Sequence, residues 1–461
     1  NLPKKAAKLQ LKTPFFWQPS SMTYRESLAY LKSLNPLGIR LGLDPVRSLL
    51  ERLGNPQQSC PAVLIAGTNG KGSVAAMTAS LLTAAGFRTG LYTSPDLIDF
   101  RERIRIDGRM IRREEIVAGA EAVKRGVRET VSYFEFLTAM AFLHFQRKKA
   151  DIAVLEVGLG GRLDATNVVI PLVSVITNIS LEHREYLGNT LEQIAREKGG
   201  IIKEGGICLT AARQKPVIET LEGICRERGA SLYRVGKEIR TIVHRDGTFS
   251  YRGIRRSLER LVCPLIGRHQ ISNAALALGA VELIGDARFR VDDAAVSKGL
   301  KQTQWEGRLE ILQRSPMLLV DGAHNPAGVA ALRRAFQNDF PHRRLILVFG
   351  VLGDKDYRTM ARRLFPLADR VILTRPHSER ALPPDSLRPL AEKFNRAVEV
   401  VEDPGNALRR ALSLAGKEDL VCAAGSLYLV GEIKRRHRII SGGKTGFGVR
   451  EPGDRGGVER C

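Results

Sequence analysis

With 461 residues, 43% of them hydrophobic, the chain has room for two or three domains and is too apolar to be intrinsically disordered. It holds no apolar run near the length of a membrane span and no signal-like start, so a cytoplasmic protein with no membrane partner is expected. A formal net charge of +23 invites nucleic-acid binding. Yet the basic residues fall in short scattered clusters, such as 101–113 and 434–438, with no zinc finger, RNP-like aromatics or clear helix-turn-helix, so small polyanions are the expected partners.

Residues 1–20 lack periodicity and read as a loose arm. From Tyr24 to about Gln302, apolar strands alternate with helical stretches. The first strand is Ala62–Ala66; the run Val74–Ala85, closed by Gly86, predicts a helix. Phe136–Gln146 and Thr190–Lys198 also read as helices, and Ile152–Val157, Leu172–Ile179 and Ile207–Leu209 as buried parallel strands. This alternation predicts a doubly wound, mainly parallel α/β sheet over a domain 21–303. Within it, residues 231–256, with Asp246-Gly247 between short alternating runs, predict a hairpin addition. A smaller Rossmann-like α/β domain, 304–440, has candidate strands Met317–Val320, Arg344–Phe349, Arg370–Leu373, Val398–Val401 and Leu420–Ala423. A hinge is expected around 300–308, and the Gly-rich polar tail 441–461 is expected to be disordered. The cysteines at 60, 208, 225, 263, 422 and 461 show no C-x-x-C or metal spacing and read as reduced thiols.

The first strand runs into Gly67-Thr68-Asn69-Gly70-Lys71-Gly72-Ser73, and the helix follows at once. Glycines let successive backbone N–H groups turn inward, and the helix N-terminus adds partial positive charge. Lys71 can reach the β- and γ-phosphates, and the Ser73 hydroxyl can sit on Mg²⁺. The spacing is one residue tighter than G-x-x-x-x-G-K-[ST], with an extra Gly before the Ser. Strand, cradle and helix together favour nucleotide binding over a plain Gly-rich turn.

Ligands in open α/β sheets collect beyond the carboxyl ends of strands. Glu156, His183, Asp321 and His324 all fall at or just beyond predicted strand ends. A carboxylate and an imidazole beside an ATP cradle suit a further divalent cation, although each residue alone reads equally well as a cap or loop contact. The glycines in 158–167 exclude helix or strand and predict a loop at the site mouth.

These segments match a known pattern. The chain resembles the folylpolyglutamate synthase/dihydrofolate synthase family, a branch of the Mur ligase superfamily, from about Tyr24 to about Arg436. The likeness rests on separate motifs: Gly67–Ser73, Ser94-Pro95, Glu102-Arg103-Ile104, Glu156–Asn167, Glu182-His183 with Tyr186-Leu187-Gly188, and Glu197-Lys198. Further along come Gly267-Arg268-His269-Gln270 with Asn273, Asp321-Gly322-Ala323-His324-Asn325-Pro326, and Gly425-Ser426-Leu427-Tyr428. The resemblance implies a P-loop Mur-ligase-type ATPase domain followed by a ligase domain, acting as a monomer on dihydropteroate, reduced folates and L-glutamate. ATP would phosphorylate the pterin-bearing carboxylate, and the amine of glutamate would displace phosphate from the acyl phosphate. Two Mg²⁺ sites are implied. Lys71 and Ser73 would hold phosphates and the first metal, with Ser94 and Glu156 on that metal. His183 and Glu156 would hold the second, near a carbamylated Lys198, a residue that reads from sequence alone as a solvated helix-end lysine.

The same resemblance assigns the nucleotide to Asn273, Arg308 (phosphate) and Asp321 (ribose), and puts His324 near the acyl-acceptor site. Asn325, Ser426 and Tyr428 are weaker candidates there, and Tyr428 reads ordinarily as a buried tyrosine. For the pterin it points to Phe134, otherwise a core aromatic, and to the loop carrying Arg162, Leu163, Asp164 and Ala165. The triplet Leu163-Asp164-Ala165 is similar to that of bifunctional bacterial members, so both activities are expected. Three positions depart from the pattern: Asp96 for the usual His, Glu182 for Asp, and Gly199 for Ala after Lys198. The competing readings are polyglutamylation alone, a sister Mur-type ligase, or a nucleic-acid-stimulated P-loop NTPase; Glu156 in place of a strand-end Asp disfavours the last.

Overall fold

The computed structural model describes residues 22–34, 41–285 and 288–440. The arm 1–20 and the tail 441–461 lie outside the described residues.

The first unit is built on an eight-stranded sheet. Its strands are β1 (Ala62–Ala66), β2 (Thr89–Tyr92), β3 (Ile104–Ile106), β4 (Arg109–Met110), β5 (Ile152–Glu156), β6 (Val173–Ile176), β7 (Ile207–Thr210) and β8 (Ser231–Arg234), in the order β4-β3-β2-β5-β1-β6-β7-β8. All pairings from β2 to β8 are parallel, and β3 and β4 add an antiparallel edge. Val63 and Ile65 of β1 enter one apolar cluster, while Ala62, Leu64 and Ala66 enter the other. Both faces are covered by helices, which is why the strand is apolar throughout instead of alternating. The chain leaves β1 toward β2 on one side and reaches β6 on the other. The crevice at the carboxyl end of β1 is therefore a topological switch point, where such sheets bind ligands.

The helix Lys71–Ala84 is apolar on every side because it is enclosed. It packs on the sheet with helices Arg268–Ile284 and Asp293–Gln302. Gly299 of the last lies so close to it that a Cβ there would stand 2.8 Å from Leu81 Cα.

The hairpin expected over 231–256 is corrected in part. Residues 231–234 form β8, which extends the large sheet beside β7. A three-stranded antiparallel sheet follows: β9 (Arg240–Val243), β10 (Phe249–Arg252) and β11 (Ser257–Leu261). Asp246-Gly247 turns β9 into β10, with the Asp246 carboxylate accepting the Thr248 N–H at 3.0 Å.

The second unit is a six-stranded sheet ordered β12-β13-β17-β14-β15-β16. Its strands are β12 (Glu310–Arg314), β13 (Met317–Asp321), β14 (Leu345–Phe349), β15 (Arg370–Leu373), β16 (Val398–Val400) and β17 (Leu420–Ala424). All pairs are parallel except β12 with β13. Leucines 319, 345 and 347 face one cluster, and Leu318, Ile346 and Val348 the other. Residues 303–309 connect the two units, and Leu97 of the first packs into the apolar cluster of the second.

Candidate active site

Both sheets present their strand ends to one cleft of about 470 Å³, within the usual range for a small-molecule site. Gly67–Ser73 lines one wall, Glu156, His183 and Lys198 lie near it, and Arg308, Asp321 and His324 face them from the second unit.

The cradle is shaped by backbone no other residue would tolerate. Gly70 caps the helix at φ 87°, and a Cβ there would stand 2.6 Å from Asn273 Oδ1. At Gly67, φ 141°, a Cβ would stand 1.9 Å from Thr177 Oγ1. The residues after β6 brace the loop. Thr177 Oγ1 donates to Asn69 O at 2.7 Å, and Asn69 N–H donates to Asn178 Oδ1 at 3.0 Å. Asn273 lies buried against Gly70, its amide donating to Gln270 Oε1 at 2.9 Å. Ser73 is buried in the first helical turn, and Lys71 Nζ reaches Thr68 O at 3.4 Å.

Glu156 ends β5 and is buried. Its Oε2 accepts the Ser94 N–H at 3.1 Å. Among the described residues no lysine or arginine is recorded in ion-pair contact with it. Burial pushes its carboxyl above the ordinary range, against the nearby charge of Lys71. Such a carboxylate is costly without a counter-charge, and a cation in the cleft would supply one.

Lys198 corrects the solvated reading. It is 5% exposed, near the end of helix Leu191–Gly199, and its Nζ donates to Gly67 O at 2.8 Å. Burial, with Lys71 nearby, lowers its ammonium to about 7. His183 sits at φ 51° before a short helix. Burial and the Lys355 charge bring its imidazolium down to about 4, so at neutral pH the ring is uncharged and free to ligate.

Glu182 ties the two units together. Its Oε1 lies 3.2 Å from His324 Nε2 and 3.2 Å from Lys355 Nζ, and its Oε2 accepts from Asn325 Nδ2 at 3.1 Å. Burial would raise its carboxyl, but the His324 hydrogen bond and the Lys355 charge hold it far below the carboxylate range. Asn325 also joins Asn69 of the cradle at 2.9 Å and caps helix Pro326–Asn338. Sequence reading missed Lys355. It follows β14 in Gly353-Asp354-Lys355-Asp356, and the strand-end argument that singled out Asp321 applies to it equally.

Asp321 is held by backbone: its carboxylate accepts Leu309 N–H and Ala323 N–H, each at 2.9 Å. Arg308 donates to Gly307 O at 3.1 Å and lines the cleft. Trp305, another residue missed from sequence, lies so close to Gly72 that a Cβ there would stand 2.6 Å from its ring.

Comparison with known proteins gives this geometry its family. Residues 65–281 match the Mur ligase middle domain, and residues 307–427 the Mur ligase glutamate ligase domain. A curated relative, the dihydrofolate synthase/folylpolyglutamate synthase of Bacillus subtilis, is 36% identical across 90% of this chain and 99% of its own length. The chain belongs to the dihydrofolate synthase/folylpolyglutamate synthase family of Mur ligases. Its fold matches E. coli FolC in complex with DHPP and ADP, with a TM-score of 0.85 and 30% identity over 93% of this chain and 100% of that one. It also matches a bifunctional folylpolyglutamate synthase/dihydrofolate synthase from Yersinia pestis complexed with AMPPNP and Mn, with a TM-score of 0.81 and 30% identity over 91% and 99% of the two chains.

In this Mur ligase the loop 158–167 closes over its own buried carboxylate. Asp164 accepts Leu159 N–H at 2.9 Å and Thr166 N–H at 3.0 Å, and burial raises its pKa. Asp164 and Ala165 are buried, Leu163 is half-buried, and Arg162 is exposed and paired with Glu197 at 2.9 Å; none of the four lines the cleft, whose wall takes only 158–160 from this loop. Half-buried Phe134 packs on Tyr92 at 5.8 Å between centroids and touches Gly158, so it borders this loop without lining the cleft. Asp96, the departure after Ser94-Pro95, pairs with Arg103 at 2.5 Å. Ser426 caps the last helix through Tyr428 N–H at 3.0 Å. Tyr428 is 44% exposed, which corrects the buried reading.

Proposed function

We propose that this chain is an ATP-dependent amide ligase that joins L-glutamate to dihydropteroate and to reduced folates, through an acyl phosphate. The observation that carries the reading is the convergence, on one cleft, of the Lys71 cradle and the buried Glu156 carboxylate with Arg308, Asp321 and His324 of the second unit. The relatives' names and bound molecules support the same reaction class.

The cradle 67–73 would bind the ATP phosphates through backbone N–H groups, with Asn273, Arg308 and Asp321 on the nucleotide. Lys71 and Arg308 would offset the charge on the transferring γ-phosphoryl group. The acceptor carboxylate takes that group and ADP leaves. The glutamate amine then attacks the acyl carbon; the C–N bond forms, the C–O bond to phosphate breaks with its electron pair on the phosphate oxygen, and the nitrogen gives up a proton to the departing phosphate or to water. Two facing domains, 21–303 and 304–440, would keep water from the acyl phosphate. Phe134 and the loop with Arg162, Leu163, Asp164 and Ala165 are the pterin side in this reading. Since Asp164 and Ala165 are buried, they would act by holding the loop's shape.

The donor set fits hard divalent cations. Ser73 and Ser94 hydroxyls, the Glu156 carboxylate and the uncharged His183 ring would hold them, and they would supply charge neutralisation at the phosphates. Among the described residues no three His, Cys, Asp or Glu side chains are arranged to hold a metal ion by themselves, so substrate phosphate would complete such sites. A lysine near neutrality, as Lys198 is, can add CO₂ as a carbamate with loss of one proton, and that carboxylate would serve beside His183. Among the described residues no helix is long and apolar enough to cross a membrane.

The test is phosphate release from ATP with L-glutamate and either 7,8-dihydropteroate or a reduced folate. The reading expects glutamate-dependent release with both. Release with the folate alone would restrict it to polyglutamylation, and no release from folded, ATP-binding protein would overturn it.

A further inference from the structure

Away from the cleft, the last helix, Leu427–Ile440, carries a lysine in an unusual place. Lys434 is 3% exposed and surrounded by two carboxylates: its Nζ lies 2.5 Å from Glu306 Oε2, and 2.6 and 2.7 Å from the two Glu310 oxygens. Glu306, on the segment that joins the two units, and Glu310, the first residue of β12, bracket Arg308 two residues to either side.

That segment is held in backbone shapes it would not choose alone. Gly307 has φ 70° and Leu309, a non-glycine residue, φ 47°. Each is tied down: Glu310 Oε2 accepts Gly307 N–H at 2.7 Å, Gly307 O accepts Gly322 N–H at 2.9 Å, and Asp321 takes Leu309 N–H. Trp305, just ahead, rests on Gly72 of the cradle. A cluster of one buried lysine with two partly exposed carboxylates contributes little net stability, because desolvating the lysine offsets the attraction. Its effect is geometric, and here the geometry it fixes is that of the residue between the two carboxylates.

We propose that Lys434 is a positioning residue that acts through Arg308: by clamping Glu306 and Glu310 it holds the connecting segment so that the Arg308 guanidinium stays in the cleft. This rests on the reading that Arg308 meets nucleotide phosphate. A merely structural lysine would affect stability alone; this one sets the kinetics of ATP use.

The experiment is a double-mutant cycle on the full chain, read as kcat and KM for ATP in glutamate-dependent phosphate release. Arg308→Ala is expected to lower kcat/KM for ATP about a hundredfold, as loss of a charged phosphoryl contact does. Lys434→Met in the otherwise native chain is expected to lower it about tenfold or more, and Lys434→Arg to recover most of that. In the Arg308→Ala background, Lys434→Met is expected to change it less than about twofold, since residues acting through one group are not additive. Equal losses in both backgrounds, or a folded Lys434→Met protein with native kinetics, would overturn the proposal. A native Arg308→Ala would instead refute the phosphate role of Arg308 and leave the clamp without a purpose. Should Lys434→Met fail to fold, Glu306→Gln, on a half-exposed side chain, runs the same cycle with the same criteria.

Discussion

Lys198 is the residue whose chemistry departs most from its appearance in the sequence. Its amine is buried and titrates near 7 in the fold, against 10.5 for an ordinary lysine. Between those values the unfolded chain binds a proton that the folded chain does not, so stability falls as pH drops from about 10.5 to about 7 and then levels off. Lys198→Met is expected to flatten that dependence, measured as urea midpoints across this window in bicarbonate-free buffer; an unchanged slope would contradict the burial argument. At His183, substitution by Ala is expected to abolish turnover with little change in melting temperature, because the ring lies in the cleft and is uncharged at neutral pH. Lys71→Ala should behave alike in the same pair of assays.

Among the elements, the strand, glycine turn and helix over 62–84 were legible in the sequence, because glycines between a buried strand and an apolar helix leave few alternatives. A Gly67→Ala protein is expected to lose ATP affinity at least about tenfold in a calorimetric titration, since the added Cβ would push on Thr177, which braces the loop. The parallel strands β1, β5, β6 and β7 were legible for a related reason: helices cover both faces, so their sequences are largely apolar. What escaped were short strands: the inner parallel strand β2, four residues that include a threonine and a glycine, and several antiparallel ones at or next to sheet edges. β3, β4, β11 and β12 are two to five residues long and antiparallel, with exposed or half-exposed positions between few buried ones. β8 was placed in the hairpin because Ser231-Leu232-Tyr233-Arg234, a short apolar pair between polar residues, lacks the apolar run of a covered parallel strand; it is in fact the outer strand of the large sheet. The helix-end reading of Lys198 failed likewise, because its burial comes from Gly67, far away in sequence.

Over the whole molecule, the contacts between units matter most and were least readable, since each joins residues more than a hundred positions apart. Glu182 with His324, Lys355 and Asn325 is the main polar junction. Both Lys355 and Glu182 side chains are at most 10% exposed, so Lys355→Met leaves a buried carboxylate short of one partner. The expected cost is about 2 kcal/mol in chemical denaturation, with a lower kcat for glutamate ligation; a stable variant with native kcat would show that the junction does not organise the cleft. Because the Glu182 carboxyl lies far below its ordinary range, the junction stays charged as pH falls through 5, and its contribution is lost only in stronger acid.

The acyl phosphate is the centre of this account, and one labelling experiment tests it directly. With heavy oxygen in the acceptor carboxylate of the folate, the account predicts that the phosphate released during glutamate ligation carries one labelled oxygen, since the carboxylate oxygen that attacks the γ-phosphoryl group leaves with it. Unlabelled phosphate released in step with amide formation would contradict it.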